Sequence, residues 1–167
     1  VLSSISSKCK YFVTVKRKDV ISGSDILDGG HFAQLLKGAE DGKITWVHMA
    51  PPCFTFSRAR ELNDDAKQLR SEDYPMGWGD AQTHDANKIL DQVVAVARVQ
   101  AAGGRFFSIE SPWRSYMWLM PVMAKLVRDL GAAVEYIRFD YCAFSAPWVK
   151  PTAFVTNAPF IHGSGKL

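Results

Sequence analysis

Ile44-Thr45-Trp46-Val47-His48-Met49 runs directly into Ala50-Pro51-Pro52-Cys53-Phe54-Thr55-Phe56-Ser57. A β-rich apolar run of that length predicts a short buried strand. Pro51 and Pro52 end it, because each lacks an N–H and fixes its own φ. The chain must leave the sheet there in an extended turn, and the next side chain is a thiol. A cysteine on a rigid loop at the C-terminal end of a strand sits where open α/β sheets hold their ligands. The thiolate is the nucleophilic form, and a nearby cation, dipole or proton acceptor would favour it. Cys53 is equally open to a plainer role as a small buried hydrophobe.

Working outward, residues 11–15 (YFVTV) predict a strand and 20–27 a short turn and strand. Residues 31–39 predict a short amphipathic helix with Phe32, Leu35 and Leu36 on one face. Downstream, 58–73 is polar with little apolar face. Residues 74–79 (YPMGWG) form a loop whose Trp78 is the best candidate for a lid aromatic. A long helix is expected over 80–102, with Ile89, Leu90, Val93, Val94, Ala97 and Val99 as its stripe and Gly103-Gly104 as its stop. Residues 105–109 (RFFSI) predict a second buried strand, ending in Glu110-Ser111-Pro112-Trp113. The next helix, 115–130, contains Pro121 and should kink or split there. Strands over 133–139 and 153–156 close the chain, with a proline-containing loop over 141–152 between them.

Strand and helix alternate. The expected fold class is therefore α/β with a mostly parallel sheet and helices on both faces, the final pair being open to an antiparallel pairing. At 167 residues one domain is expected over 1–160, with a linker-like tail over 161–167. With 47% apolar and 22% charged residues the chain is globular and not disordered. No apolar run approaches the roughly 20 residues of a membrane span. Cys9, Cys53 and Cys142 are an odd set at unrelated spacings, which argues against a disulfide framework and for an intracellular, reducing compartment. Val1 is no initiator, so the expectation is a trimmed start, with targeting information lost. The net charge of +3 permits phosphate contacts without demanding them. Lys8, Lys10, Lys16, Arg17 and Lys18 crowd the start, as a nucleic-acid contact or a solvated strand face.

In a parallel sheet the strand ends share one edge. Cys53, Glu110 and Lys150 then converge as a nucleophile, a carboxyl group and a cation. These segments resemble the DNA (cytosine-5)-methyltransferase family. Ala50-Pro51-Pro52-Cys53 with Phe56-Ser57 is similar to its proline–cysteine motif. Ile109-Glu110-Ser111-Pro112 is similar to its Glu-Asn-Val motif, with Ser-Pro in place of Asn-Val. Phe144 through Thr152 (FSAPWVKPT) is similar to the loop that carries Gln-x-Arg-x-Arg. Gly23-Ser24-Asp25-Ile26 is similar to its Gly-Asp-Ile motif. The Phe-x-Gly-x-Gly turn of the family has no counterpart here.

The resemblance implies a Rossmann-like fold and methyl transfer from S-adenosylmethionine to carbon 5 of cytosine in DNA, or in RNA as in a tRNA-directed relative. It implies Cys53 as the nucleophile that adds to carbon 6, Glu110 as the group holding ring nitrogen 3 and the amine, and Lys150 as a point charge near base or phosphate. It implies cofactor contacts from Asp25, Ile26 and Pro52. It implies nucleic-acid contacts from Ser57, Arg58, Arg60, Trp148 and Thr152, with the target base flipped out of its stack.

Other readings stay open. Asp25 could cap a turn, Glu110 could be a surface carboxylate, and Trp113, Trp118 and Trp148 could be core or rim. His48 reads as packed and not ligating. His48, Cys53, His84 and Cys142 lack metal-ligand spacing, so no metal is expected. A non-catalytic nucleic-acid-binding module that kept the fold is the main rival. A cysteine hydrolase is a second, and would need His48 or His84 beside Cys53.

Overall fold

The computed structural model describes residues 23–62 and 65–161, together with Lys16. The strand expected over 11–15, the start of that over 20–27, most of the basic cluster and most of the tail lie outside the described residues.

Helix α1 spans Gly29–Glu40, strand β1 Trp46–Met49, helix α2 Ala81–Ala102 and strand β2 Phe106–Pro112. Helix α3 spans Pro121–Leu130, strand β3 Glu135–Asp140 and strand β4 Pro151–Thr156. Local chemistry explains the boundaries. Asp28 caps α1 by accepting from Gly30 N and His31 N, and Asp80 caps α2 by accepting from Thr83 N. Pro121 opens α3 at a position where its missing N–H costs nothing, and a separate 3₁₀ turn, Tyr116–Leu119, precedes it. The expected single helix over 115–130 is thus split at the proline.

The described residues make an α/β fold with an open four-stranded mixed sheet in the order β1-β2-β4-β3. The expectation of a mostly parallel sheet is corrected: β1 and β2 pair in parallel, but β4 is antiparallel to both β2 and β3. The reason is connection length. α2 gives the β1-to-β2 crossover room to return in parallel. Between β3 and β4 lies a short segment with only a 3₁₀ turn, Tyr141–Phe144, and a parallel return needs about a dozen residues or more.

Of the two helix-covered faces expected, the described helices cover one. Phe107 and Ile109 of β2 and Val155 of β4 point into one core with Leu90, Val94 and Val96 of α2 and Met123 and Leu126 of α3. Phe32, Leu35 and Leu36 of α1 pack against the same cluster. All three described helices therefore serve one face. The register puts Trp46, His48, Phe106, Ser108, Glu110 and Phe154 on the other, which among the described residues is lined by aromatic contacts.

The loop between the first 3₁₀ turn, Arg58–Leu62, and α2 is held by glycine geometry. Gly77 has φ +82°, and a Cβ there would lie 2.7 Å from Thr83 Cγ2 and 2.9 Å from Leu69 O. Gly79 has φ +85° with open space around it. Gly77→Ala should therefore destabilise by about 2–3 kcal/mol and Gly79→Ala by about 1 kcal/mol. Urea unfolding midpoints of the two variants check the difference, and equal losses would mean that crowding at Gly77 is not felt.

Candidate active site

β1 and β2 lie side by side in parallel, with Met49 opposite Ile109. Their C-terminal ends share an edge, which places Cys53 on the loop leaving β1 and Glu110 one residue past Met49's partner. Cys53 is half-buried at the start of a tight turn, where its carbonyl accepts from Phe56 N at 3.0 Å and Ser57 N at 2.8 Å. The turn is anchored by its own far end. Thr55 and Phe56 are fully buried, and Phe56 O accepts from Tyr116 N at 2.9 Å.

Glu110 sits on the aromatic face of β2, and its side chain is 12% exposed. His48 Nε2 lies 3.3 Å from its Oε2, and the Tyr141 hydroxyl donates to its Oε1 at 2.8 Å. Lys150 Nζ stands 3.8 Å from the same Oε1 and 5.1 Å from the Tyr141 ring. Tyr141 and Lys150 face each other across the base of the β3–β4 connection, where Tyr141 N donates to Lys150 O at 3.4 Å. Burial pushes the Glu110 carboxyl up. The hydrogen bonds from His48 and Tyr141, with the charges of His48 and Lys150, outweigh that and hold it below its ordinary value. Burial, then the bond to Glu110, pushes the Tyr141 phenol up to about 12, so it remains a donor.

The structure thus gathers Glu110 and Lys150 and sets Cys53 on the adjoining loop. Tyr141 was not picked out by the sequence reading, and His48 only as a base that a cysteine hydrolase would need. His48 in particular was expected to be packed, and it is instead 39% exposed and bound to Glu110. Alternation along β1 carried the signal: Trp46 and His48 must share a face with Ser108 and Glu110 once β1 and β2 pair in parallel register.

The expected nucleic-acid contacts are placed less simply. Ser57 Oγ caps Ala59 N at 3.2 Å. Arg58 is bound to Glu72 Oε1 at 2.5 Å and Arg114 O at 2.9 Å, and its guanidinium lies over the Tyr116 ring. Arg60 Nε donates to Lys67 O at 3.2 Å. Thr152 is fully buried with its hydroxyl on Lys150 O, which withdraws it from any external backbone and corrects that expectation. Trp148 is 61% exposed on the β3–β4 connection, a rim position. Trp78 is also exposed, tilted against Tyr74.

Asp25, Ile26 and Pro52 are the residues implied to touch S-adenosylmethionine, Asp25 at its adenine end. Asp25 Oδ1 accepts from Leu27 N at 2.9 Å, a local turn bond, and Pro52 is exposed. The N-terminus of α1 is already occupied by the Asp28 carboxylate. The bonds from His31 N and Gly30 N hold that carboxyl below its ordinary value, so the place where a carboxylate ligand would go is negative. Gly30 N and His31 N at the start of α1 are therefore not free for the anionic end of the cofactor.

No family model, curated protein or solved structure matches the chain. Among the described residues no group of three or more His, Cys, Asp or Glu is placed to hold a metal ion. Among the same residues no helix is long and apolar enough to cross a membrane.

Proposed function

We propose that this chain performs the cytosine chemistry of the DNA (cytosine-5)-methyltransferases. Cys53 adds covalently to carbon 6 of a flipped cytosine in DNA, and carbon 5 is the methyl acceptor. S-adenosylmethionine is the donor in the whole reaction. The sheet, in which β1, β2 and β3 run one way and β4 returns between them, is read as the core of a Rossmann-like methyltransferase fold. What supports the assignment is the neighbourhood of Glu110, a mostly buried carboxylate ringed by His48, Tyr141 and Lys150 at the edge that also carries Cys53.

The start of α1 is closed to the cofactor's anionic end by Asp28, and the described side chains act on the base. The Cys53 thiolate forms a bond to carbon 6, and the ring's 5,6-double-bond electrons move onto carbon 5, nitrogen 3 and oxygen 2. Glu110 receives the amine of cytosine and stands beside nitrogen 3, where charge grows. Lys150 offers a point charge to the same edge or to a phosphate. A tRNA cytosine would present the same edge.

The cysteine-hydrolase reading loses its base. Both ring nitrogens of His48 are engaged, by Glu110 and by Ser108, and His84 lies by Asp85 at the start of α2. The occupied N-terminus of α1 favours the rival non-catalytic nucleic-acid-binding module. One assay separates the two. An enamine-like carbon 5 picks up a deuteron from solvent, then loses its original proton as the thiolate leaves, so no methyl donor is consumed. Mass spectrometry of a single-stranded cytosine oligonucleotide incubated with the chain in D2O should show deuterium at carbon 5. Exchange no faster than in buffer would leave the binding module as the reading.

A further inference from the structure

Both nitrogens of the His48 ring are spoken for. Nε2 faces Glu110 Oε2 at 3.3 Å, and Nδ1 lies 2.9 Å from Ser108 Oγ. The indole N–H of Trp46 can only donate, and it donates to that same Ser108 oxygen at 3.2 Å. Ser108 keeps one hydroxyl proton of its own. When a neutral imidazole carries its proton on Nε2, towards Glu110, the Ser108 proton points at Nδ1. With a charged imidazole, the hydroxyl turns and accepts from Nδ1–H. The buried Ser108 oxygen keeps its partners at Trp46 Nε1 and His48 Nδ1 in both charge states. The groups around the ring are Trp46 from β1, Ser108 and Glu110 from β2, and the Phe154 ring from β4 at 5.4 Å. Tyr141 and Lys150 stand behind Glu110.

An ionised Glu110 can only accept. It can take the amino hydrogen of cytosine, yet it has no proton for ring nitrogen 3, where charge collects as the thiolate adds. Tyr141 holds its proton too tightly to supply one. The imidazole is the side chain whose charge changes near neutral pH, and here one is in direct contact with the carboxylate.

We infer that His48 is the positioning residue that delivers a proton to Glu110, so that imidazole and carboxylate act as one proton-sharing pair. Its use in the reaction rests on the cytosine chemistry proposed above; the pair itself stands on the contacts. In the step, imidazolium Nε2 gives its proton to Oε2, and the ring remains neutral with its other proton on Nδ1, directed at Ser108. Glu110 then passes a proton to nitrogen 3 and returns to its ionised form. Nitrogen 3 releases that proton to solvent when the thiolate leaves. His48, exposed along one edge, takes a new proton from water.

Two measurements on the full chain test this. The first is a pH titration of the Glu110 side-chain carboxyl signal by carbon-13 NMR, in the wild type and in His48→Gln, which keeps an uncharged N–H near the Nε2 position. In the wild type the signal should move in two steps, the second as the His48 ring changes charge. In His48→Gln the second step should vanish. A single step in the wild type overturns the pair.

The second is the carbon-5 exchange rate against pH. Thiolate grows with pH while imidazolium falls, so the wild type should give a bell. His48→Gln should lose the alkaline limb and run about tenfold slower near pH 6. A His48→Gln protein with the wild-type rate and profile overturns the delivery role. Two-step titration without any exchange keeps the pair and removes the cytosine reading. Exchange with one-step titration keeps the cytosine reading and removes the pair.

Discussion

Cys53→Ser should bring carbon-5 exchange down to the buffer background while leaving the unfolding midpoint within about 0.5 kcal/mol of the wild type. Activity and stability part here for separate reasons. An alcohol is almost wholly un-ionised at neutral pH, whereas a free thiol with a pKa of about 8.5 keeps a few per cent of thiolate, and sulfur is the better nucleophile. Serine fits the same space, and Cys53 is only half-buried at the rim of its turn. What holds the turn is its carbonyl, accepting from Phe56 N and Ser57 N, which serine keeps. A Cys53→Ser protein that still exchanges would end the covalent mechanism. Glu110→Gln is the companion: it should lower exchange by about a hundredfold or more, since the amide neither carries a proton to nitrogen 3 nor pairs with His48. A Glu110→Gln protein near the wild-type rate would remove Glu110 from the reaction and leave Cys53 acting alone.

Much of this architecture is legible in the sequence, for identifiable reasons. α2 is marked by a long apolar stripe closed by two glycines, and the structure ends it at Ala102, directly before them. Pro121 announces a break and sits at the first position of α3. The double proline before Cys53 ends β1 as expected, because no other residue type removes ladder donors so plainly. Sheet direction was harder to read. Whether β4 adds at the outer edge beside β3 or inserts between β2 and β3 depends on pairings across the whole sheet, and Pro151–Thr156 has no local feature that says so. The site divides the same way. Cys53 follows β1 and Glu110 lies near the C-terminal end of β2, and both were picked out. His48 and Tyr141 are site residues only through contacts made at a distance of 62 and 31 positions from Glu110.

Arg70→Met should cost about 3–5 kcal/mol of stability, although Arg70 lies in a stretch that reads as solvated polar chain. Its side chain is fully buried, with the guanidinium 3.9 Å over the Phe56 ring. It donates to Pro75 O at 2.5 Å, Asn87 Oδ1 at 2.9 Å, Thr55 Oγ1 at 3.1 Å and Thr83 O at 3.3 Å. Burial pushes the guanidinium down to about 10, which leaves it charged at neutral pH. No sequence pattern announces such a residue, because its direct partners are carbonyl and hydroxyl oxygens and a ring scattered along the chain. Methionine would fill the volume and leave those acceptors unmet, each at about 1–3 kcal/mol before relaxation. Against a typical total of about 5–15 kcal/mol that loss is severe. Arg70→Lys keeps the charge without the fork and should lose about 2 kcal/mol. Urea midpoints of the two variants test the order, and an Arg70→Met loss under about 1 kcal/mol would mean that water or a rearranged loop satisfies the acceptors. The consequence reaches the site through Thr55 and Phe56, which Arg70 clamps two and three residues after Cys53. Where Arg70→Lys remains folded, alkylation of Cys53 should speed up several-fold as the turn loosens, while carbon-5 exchange slows. An unchanged alkylation rate would confine Arg70 to the core and leave the nucleophile's turn to hold itself.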